Sequence, residues 1–436
     1  MKSSEIDSPS SPGPYQSPAY RYFVLGFLTL IYVFSFIDRQ IVNILGIYII
    51  EDLSLSDMQF GALSGVAFAA IYVIFGIPVA RLADSGNRRN IIAISLTVWS
   101  GMTALCGMAT NFLTLFLARV GVGLGEAGCT PPAHTIISDI FPANKRATML
   151  SIYGMGIFFG VLIGYILGGY LAALFNWRMA FILVGFPGVI LAIIFTLVVK
   201  EPVRKHSLTD ELKPATPSLK ETFTALWTTP TFRHLAIACS LHNFVSYGLS
   251  SFMPVFLGRV HAMPIHEIGL LLGLSVGLGG VSGTFLGGFL SDTLTNKTSD
   301  DRWQLRIPMY STLLTLPFYW LVLLYLDTGF SAAIFWFVPS FVGGMFLGPS
   351  FAVTHSLVGI RMRAVASSVL LLFLNLLGLG VGPLATGWIS DLLTPGFGSE
   401  AIRYAMAIMV FVNLWCAFHY GRACRTLRSD INNNTY

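Results

Sequence analysis

Residues 21–50 read RYFVLGFLTLIYVFSFIDRQIVNILGIYII, an apolar run that Asp38 and Arg39 interrupt near its middle. The run is long enough to cross a bilayer, because a spanning helix needs about 20 mostly apolar residues. The fourth apolar run of the chain carries Arg119 and Glu126 in the same way. Charges at membrane depth are costly and are seldom kept without a partner or a function. Two acids and two bases in separate runs therefore predict a polar site between helices.

The whole chain has the composition of an integral membrane protein. Its 436 residues are 54% hydrophobic and 11% charged, with a mean hydropathy of +0.71. Ordinary soluble domains carry about 25% charged residues. Long apolar runs argue against a transmembrane β-barrel, whose strands alternate over about 10 residues. The net charge of +5 follows membrane topology, so no nucleic-acid partner is expected. The five scattered cysteines indicate neither a metal site nor a disulfide framework.

Twelve apolar segments are long enough to span the membrane. They lie near 21–50, 57–82, 90–110, 112–139, 146–173, 178–199, 233–258, 266–291, 306–326, 331–356, 363–391 and 402–421. We therefore predict an all-α integral membrane protein with twelve transmembrane helices in two pseudo-symmetric six-helix halves, 21–199 and 233–421. Residues 1–20, rich in Ser and Pro, are expected to form a disordered cytosolic tail. Residues 200–232 are expected to form a cytosolic loop between the halves, and 422–436 a cytosolic C-terminal tail.

The distribution of Lys and Arg predicts the orientation, because these residues concentrate in cytosolic loops. With both termini inside, all but five of the 26 Lys and Arg residues lie in cytosolic tails or loops. The exceptions are Arg39 and Arg119 in the membrane and Arg178, Arg259 and Arg403 in outer loops. Reversing the topology would place nearly all of this positive charge outside. Short loops without a glycosylated outer domain favour the inner membrane of a bacterium.

Several sequence features repeat at an offset of half the chain. Asp84 follows the second span, and Asp292 closes the eighth. The stretch Arg146-Ala-Thr-Met-Leu-Ser opens the fifth span, and Arg363-Ala-Val-Ala-Ser-Ser opens the eleventh. Glycines four residues apart occur in these same two spans, at Gly160, Gly164 and Gly168 and at Gly378 and Gly382. Duplicated halves are typical of secondary transporters with a substrate site between the halves, although such glycine rows also serve close helix packing alone.

Two patterns of soluble enzymes occur in unsuitable places. Gly123-Leu-Gly125-Glu-Ala-Gly128 fits the dinucleotide fingerprint, and Gly273-Leu-Ser275-Val-Gly277 fits the nucleophile elbow. Both lie within apolar spans and lack the strand that must precede such a motif. We therefore predict that the protein is not an enzyme, and we expect no cofactor and no metal site. A proton is the only coupling ion that we expect.

The four intramembrane charges define the predicted mechanism. A carboxylate buried beside a movable cation can act as a proton switch, since burial favours its neutral form and a nearby Arg favours its charged form. Asp38 and Glu126 are therefore predicted to carry the coupling proton. Arg39 and Arg119 are predicted to bind an anionic substrate, because a planar guanidinium matches a carboxylate or phosphate. The alternative is a static ion-pair network that only joins two helices.

The second half contains no matching buried acid. Its candidates for substrate binding are His242, Asn243 and Tyr247 in the seventh span, and Tyr153 in the fifth span is a further candidate. A histidine in such a place is more often a hydrogen-bonded packing residue, and an aromatic residue more often packs or faces lipid. These four residues therefore remain open between substrate binding and packing.

Four stretches resemble one group of transporters. Gly76 to Asn90, read as GIPVARLADSGNRRN, resembles the cytosolic motif between the second and third spans of the major facilitator superfamily. Phe36-Ile-Asp-Arg-Gln and Arg119-Val-Gly-Val-Gly-Leu-Gly-Glu-Ala-Gly look like the spinster family of that superfamily, as does Ile136-Ile-Ser-Asp-Ile-Phe. The resemblance implies a twelve-helix alternating-access transporter. Spinster members are associated with transport of sphingosine-1-phosphate and lysophospholipids, often linked to protons.

The resemblance also implies a cytosolic gate at Asp84, Arg88 and Arg89, where the Asp holds the N-terminus of the eleventh helix. Such a contact is electrostatically sound, because a helix N-terminus favours an anion. Asp292 is the weaker counterpart of Asp84 in the second half.

The predicted function is proton-coupled transport of an anionic amphiphile, such as a sphingoid phosphate or lysophospholipid, by a monomer that contacts membrane lipids. Related organic-anion/proton symporters share an Asp-Arg pair in the first span and an Arg…Glu pair in the fourth. Uptake of a small organic anion such as a sugar acid is therefore the alternative. A channel and a non-transporting scaffold are the competing classes.

Overall fold

The computed structural model describes residues 14–202, 219–359 and 362–433, and in this part of the chain it contains helices and no β-strand. Nine helical runs are long and apolar enough to cross a membrane. The last of these, Val365–Asn432, contains two crossings, and the more polar helices Arg88–Cys106 and Pro230–His261 supply two further ones. The described residues thus cross the membrane twelve times, numbered here as spans 1 to 12. Helices are the expected solution in lipid, because all their backbone groups are paired internally.

Spans 1 to 6 form the first half, and several of them are two helices in line. They are Pro18–Ile44 with Gly46–Asp52, Asp57–Ser64 with Val66–Ser85, Arg88–Cys106, Phe112–Glu126 with Thr130–Ile140, Ala143–Gly154 with Gly156–Leu174, and Trp177–Val198. Polar caps fix where the short loops end. Ser56 and Gln59 form a capping box at the start of span 2, and Asn111 caps span 4. These side chains satisfy backbone N–H groups that have no partner within the helix.

Spans 7 to 12 form the second half, which a short helix, Leu219–Thr228, precedes. They are Pro230–His261, Ile265–Thr298, Trp303–Trp320 with Leu321–Tyr325, Gly329–Phe335 with Phe337–Gly343, Gly344–Phe346 and Leu347–Ser356, Arg363–Phe373 with Leu374–Val381 and Gly382–Phe397, and Ala401–Met409 with Val412–Asn433. Leu321–Tyr325 and Leu374–Val381 are π-helical. In the described part of the chain, short 3₁₀ turns occur at Pro14–Gln16, Gly344–Phe346 and Gly398–Glu400. A π turn holds an extra residue and often marks a functional place in a helix.

The structure shifts the predicted N-terminal boundary. Span 1 begins at Pro18 and not at residue 21. Just before and within its first turn, the hydroxyls of Tyr15 and Tyr20 donate hydrogen bonds to the carbonyls of Lys200 and Val198. These tyrosines attach residues 14–20 to the end of span 6, an anchor that a tail rich in Ser and Pro does not suggest. The rest of the predicted tail, 1–13, lies outside the described residues.

Two further boundaries differ from the prediction. The helix Leu219–Thr228 and the first turn of span 7 lie within the segment predicted as a loop, of which 203–218 fall outside the described residues. Span 12 continues beyond residue 421 to Asn433, while 434–436 are not described. The extension stays helical because it is held from the side: Asp430 accepts a hydrogen bond of 2.8 Å from the backbone N–H of Thr231.

Asp300 is a second anchor for this extension. It accepts hydrogen bonds from Arg302 Nε at 2.9 Å and from Arg306 Nη1 at 3.1 Å, and it pairs with Arg428 of span 12 at 3.2 Å. The hydrogen bond from Arg302 holds the pKa of Asp300 well below its usual range, against the opposing effect of partial burial. The carboxylate therefore ties the loop after span 8 to spans 9 and 12.

The hydrogen bonds that the structure describes between the two halves are concentrated towards one side of the membrane. Both described chain ends lie on the same side, because the number of crossings is even; we call this the terminal side and the opposite one the distal side. Between the described residues, hydrogen bonds that join the halves lie on the distal side or at mid-depth. On the terminal side, Thr130–Ile140, Ala143–Gly154 and Arg363–Phe373 pack chiefly within their own halves. The contacts that the structure describes therefore close the distal side.

Spans 5 and 8 touch through bare backbone where the halves meet. A Cβ atom on Gly169 would lie 2.7 Å from the carbonyl oxygen of Ile265 and 3.2 Å from the Cα of Gly269. A Cβ atom on Gly273 would lie 2.9 Å from the carbonyl oxygen of Leu162. Only glycine allows an approach this close, as is common between helices in membranes.

The repeated glycine rows named from the sequence serve packing within each half. A Cβ atom on Gly160 of span 5 would lie 2.6 Å from the carbonyl oxygen of Val33 in span 1. Gly378 of span 11 meets Asn243 of span 7 in a similar way, at 3.1 Å from its carbonyl carbon. The two rows therefore occupy equivalent places in the two halves, and different glycines form the contact between the halves.

Candidate functional site

Arg39 is the cation that the first half presents at mid-depth. Its Nε donates to Glu126 Oε2 at 2.7 Å, and its side chain is 16% exposed. Three aromatic faces surround the guanidinium, with ring centroids at 4.7 Å for Phe36 and Phe68 and 5.1 Å for Tyr72. Aromatic faces stabilise a cation without neutralising it. Arg39 is thus held in place while it keeps a charge that can act on an anion.

The side chain of Glu126 is more completely buried than that of Arg39. Its side chain is 1% exposed, and its Oε2 also accepts a hydrogen bond of 2.8 Å from Ser35 Oγ. Its other oxygen, Oε1, has no hydrogen-bond partner among the described residues. A buried carboxylate with a free oxygen is unusual, because an unmade hydrogen bond at a buried charge is costly. That oxygen is a suitable place for a proton.

Asp38 and Arg119 lie behind this pair. Asp38 is 1% exposed, and within the described part of the chain neither carboxylate oxygen has a hydrogen-bond partner. Thr103 and Trp99 of span 3 are its polar neighbours, together with Arg119 and Glu126. Arg119 is also 1% exposed, and its Nη1 donates to the backbone carbonyl of Asp38 at 3.3 Å. The four charges predicted to form one site therefore come together, but only Arg39 is partly exposed.

Two predicted substrate residues lie close to this cluster. The ring of Tyr153 stacks on that of Tyr32 with a centroid distance of 4.4 Å, and its hydroxyl has no partner among the described residues. Tyr247 of span 7 is half-buried and lies near Arg39 and Tyr72. Tyr247 thus lies near Arg39 itself, whereas Tyr153 is buried and connects to the cluster through Tyr32 and Phe36.

The other two predicted substrate residues lie elsewhere in span 7. Nδ1 of His242 is 3.2 Å from Thr312 Oγ1 of span 9, and its ring packs on Phe346 of span 10 at 4.2 Å. At 5% exposure, His242 belongs to the interior of the second half. Asn243 packs its Cβ against Gly378 of span 11. The structure does not bring His242 to the charge cluster, as its polar and aromatic contacts lie within the second half.

The predicted terminal-side gate residues pair within the first half. Arg88 is 3% exposed in its side chain and forms ion pairs with Asp139 at 2.5 Å and Glu201 at 2.8 Å. The backbone N–H of Arg89 also donates to Glu201, at 2.8 Å. Asp292 is exposed and forms no ion pair with the described residues. The side chain of Asp84 lies outside the described residues.

A distal latch that the sequence analysis did not predict joins the halves. Asp57 at the start of span 2 accepts hydrogen bonds from Arg259 of span 7 at 2.7 and 2.8 Å and from Ser390 of span 11 at 2.6 Å. Asp391 accepts from the backbone N–H groups of Asp57 and Met58, each at 2.9 Å. A bidentate pair of this kind is both strong and geometrically specific.

The sequence shows the two charges of the latch but not that they pair. Arg259 is one of the few basic residues assigned to the outer loops, where Lys and Arg are rare, and Asp57 stands at a predicted helix start. Their pairing joins residues 202 positions apart, so local patterns do not reveal it. Among the described residues, no group of three or more His, Cys, Asp or Glu is arranged to hold a metal ion.

Two six-helix halves that close on one side around buried charges have the architecture of a membrane transporter. The sequence profile of the Major Facilitator Superfamily matches residues 28–383. A solved bacterial homologue of the human lysosomal transporter Spinster, in an inward-facing and unoccupied conformation, is 34% identical with a TM-score of 0.86, and the match covers 95% of this chain and 99% of that one. An MFS-type efflux pump of Mycolicibacterium smegmatis is 33% identical over 419 residues, 95% of each chain. A hexuronate transporter of Bacillus subtilis is 26% identical over 278 residues, 63% of this chain and 65% of that one.

The chain therefore belongs to the Major Facilitator Superfamily and is spinster-like within it. The predicted resemblance, the all-α transporter fold and the prediction that the chain is not an enzyme are confirmed. The protein is a multi-pass integral membrane transporter.

Proposed function

We propose that the protein moves an anionic amphiphile, such as a sphingoid phosphate or a lysophospholipid, by proton-coupled alternating access. The observation that carries this proposal is the pair between Arg39 and Glu126, at 2.7 Å, in which the cation is partly exposed and the acid is buried. A substrate anion that reaches Arg39 competes with Glu126 for the same guanidinium. The acid that loses its partner then binds a proton more readily.

Charge balance supports coupling between the proton and the anion. When all are ionised, Asp38, Glu126, Arg39 and Arg119 sum to zero charge. Protonation of one acid leaves a net positive charge in a buried place, which one anionic group on the substrate neutralises. Each event therefore favours the other, and by linkage the effect is reciprocal. Proton and anion are proposed to bind and cross together.

The surroundings of Arg39 support an amphiphile over a purely polar substrate. Phe36, Phe68 and Tyr72 surround the guanidinium, and the stacked pair of Tyr32 and Tyr153 continues the aromatic packing beside Phe36. Apolar walls with a small number of placed polar groups are typical of sites for ligands with apolar bodies. The resemblance to the spinster family, whose members are associated with transport of sphingosine-1-phosphate and lysophospholipids, supports the same class. Tyr247 and Asn243 are proposed to contact the substrate from the second half.

A small organic anion is the second candidate. Similarity to a hexuronate transporter favours it, and a sugar acid would satisfy Arg39 equally well. A sugar acid, however, has no apolar part that could contact the aromatic residues around Arg39. Comparison of the two substrate classes on the same protein separates these proposals.

The orientation and the gates belong to the same proposal. We place the terminal side in the cytosol of a bacterial inner membrane, because Lys and Arg concentrate there. The latch of Asp57 and Arg259 then closes the outer side, while Asp84, Arg88, Arg89 and Asp292 serve the cytosolic gate in the opposite state. We expect the protein to act as a monomer surrounded by membrane lipids, without a cofactor other than the proton.

Reconstitution into liposomes tests the function. Purified protein is assayed for flux of sphingosine-1-phosphate, lysophosphatidylethanolamine and a hexonate, with and without an imposed pH gradient. Accumulation of an amphiphile that depends on the gradient supports the proposal, and accumulation of the hexonate alone supports the second candidate. Flux that ignores the gradient removes proton coupling and would be expected of a channel. No flux of any of the three would favour a scaffold.

A further inference from the structure

An apolar groove of about 450 Å³ lies between spans 7, 11 and 12, in the second half alone. Its walls include Ile237 and Leu241 of span 7, Phe373 and Leu377 of span 11, and Trp415 of span 12. The charge cluster around Arg39 does not contribute to this groove. In a membrane such a space is filled by hydrocarbon, because leaving it empty forfeits contacts along its entire lining.

The terminal end of the groove is cationic. Arg233 lies one turn before Ile237 on span 7, and Arg422 lies two turns after Trp415 on span 12, so each follows a groove-lining face. Both guanidinium groups are exposed and lie near His234. Neither forms an ion pair with any residue that the structure describes. Two unpaired guanidinium groups beside one apolar groove would accommodate an anion attached to a hydrocarbon chain.

A pair of histidines lies beside these arginines. Nδ1 of His234 lies 2.9 Å from Nδ1 of His419, and the ring of His419 is 5.9 Å from that of Trp415 in the groove wall. The contact between two ring nitrogens joins spans 7 and 12 at this level. It places polar ring edges next to the apolar lining of the groove.

An aromatic stack covers the same end from the other side. Trp227, at the end of the helix Leu219–Thr228, lines the groove and stacks on Phe373 with a centroid distance of 5.4 Å. Phe223 stacks on Trp227 at 5.8 Å. Aromatic rings of this kind concentrate at the boundary between head groups and acyl chains. The helix thus marks the level of the membrane surface at this groove.

We propose that this groove binds an anionic phospholipid of the surrounding membrane, with an acyl chain along Leu241 and Leu377 and the phosphate beside Arg233 and Arg422. Basic pockets between helices on the cytosolic side are recognised places for anionic head groups. The lipid is a bound component and not cargo, so the site is independent of the transport function proposed above. Phosphatidylglycerol is the probe that meets both requirements.

Fluorescence quenching in vesicles tests the site. The protein is reconstituted in phosphatidylcholine with increasing fractions of acyl-brominated phosphatidylglycerol or, separately, acyl-brominated phosphatidylcholine. The contribution of Trp415 to the quenching is obtained as the difference between the wild type and the Trp415→Phe variant. We expect half-quenching at a lower fraction of the anionic lipid. The double variant Arg233→Gln/Arg422→Gln should remove this preference, since each basic residue contributes about fivefold to the binding of an anionic lipid.

Two controls complete the test. Arg425→Gln removes a charge from the same exposed stretch of span 12 but not from the groove face, and it should retain the preference. Leu377→Phe narrows the groove and should weaken quenching by both lipids. Equal half-quenching by the two lipids in the wild type, or a preference that survives the double variant, would overturn the proposal. A preference lost equally in Arg425→Gln would reduce it to general surface charge.

Discussion

The carboxylate of Asp391 accepts a hydrogen bond of 2.9 Å from the backbone N–H of Asp57, across the contact between the halves. An acid near the distal end of span 11 thereby holds the N-terminus of span 2. The gate implied for the cytosolic side has the reverse arrangement, in which Asp84 near the end of span 2 holds the N-terminus of span 11. The same two spans would thus close either side with their roles exchanged, and in both cases an acid meets the positive end of a helix.

Removing the latch should favour the state that is open on the distal side. Asp57→Asn loses the bidentate pair with Arg259, which exists only when this side is closed. The change can shift the equilibrium by no more than the difference in stabilisation between the two states. For a largely buried pair we expect about a tenfold rise in the distal-open population. Spin labels at residue 108, in a distal loop of the first half, and at residue 330, in the first turn of span 10, should show a longer distance component.

A matched control comes from the same surface. Asp52→Asn breaks an ion pair with Arg178, which lies entirely within the first half. That variant should leave the distance distribution unchanged. If Asp57→Asn and Asp52→Asn behave alike, the pair of Asp57 and Arg259 does not act as a latch.

Glu126→Gln should separate transport from the pH gradient. The neutral amide keeps a polar contact with Arg39 but cannot exchange a proton, so substrate exchange is expected to continue while proton-driven accumulation is lost. In a weakly buffered solution, substrate addition should cause proton uptake by the wild type and none by this variant. Glu267→Gln, at an exposed acid on the distal side, serves as the control.

The roles of the two acids are tested by comparison. Asp38→Asn should alter the pH profile of transport if Asp38 shares the proton with Glu126. A static ion-pair network predicts instead that both variants lose thermal stability while their pH profiles match the wild type. Normal proton-driven accumulation in both variants would show that neither acid couples the proton.

Arg39 and Arg119 are expected to differ on substitution by Lys. Arg39→Lys keeps the charge but loses the planar fork, and we expect about tenfold weaker substrate binding with little change in melting temperature. Arg119 is 1% exposed and donates to the backbone of Asp38, so Arg119→Lys should lower the melting temperature more than it lowers affinity. Equilibrium binding and thermal unfolding of both variants give the answer. The opposite pattern would make Arg119 the residue that binds the anion.

Asp292 is expected to matter only when the terminal side closes. Its side chain is exposed and forms no ion pair with the described residues in the present state. Asp292→Asn should therefore leave thermal stability unchanged, yet reduce the terminal-closed population that Asp57→Asn creates. Spin labels at residues 145 and 356 would report this in the double variant. Asp301→Asn, an exposed acid in the following loop, is the control, and an equal effect of both would remove Asp292 from the gate.

Asp300→Asn should destabilise the protein in a way that depends on pH. Because its hydrogen bond from Arg302 depresses the pKa of Asp300, the contribution is present above the ordinary carboxylate value of about 3.9 and falls as the pH drops below it. The difference in melting temperature between wild type and variant should be constant from about pH 5 to 8 and shrink in stronger acid. A difference that grows on acidification would contradict this assignment.

The sequence predicts the helices well and the contacts between them poorly. Apolar length and the repeat can be read directly from the sequence, and they predict the spans and the two halves. The orientation predicted from Lys and Arg stays a prediction. The cluster of Asp38, Arg39, Arg119 and Glu126 was also predictable, because buried charges in a membrane must find one another. Which of the two arginines is exposed depends on the rotation of spans 1 and 4, which spacing alone does not determine.

The latch and the anchors were not predictable for a related reason. Asp57 and Arg259 look like ordinary loop charges until the halves are brought together. His242 appeared as a polar residue in an apolar span, but its partners Thr312 and Phe346 lie on helices whose order in space the sequence does not state. Tyr15 and Tyr20 likewise act through backbone carbonyls, which leave no trace in composition.

The π-helical stretch Leu374–Val381 changes which side of span 11 faces the groove and which side faces span 2. Every residue added to an α-helix turns the following side chains by about 100° around its axis. A π-helical stretch has a wider turn, so it rotates the side chains of the distal part of the span relative to those of the terminal part. Phe373 and Leu377 can face hydrocarbon, while Gly387 and Asp391 beyond them meet span 2. The two parts of span 11 therefore present different faces to their neighbours. A one-residue deletion within this stretch would rotate one part by about 100° relative to the other and break one set of contacts.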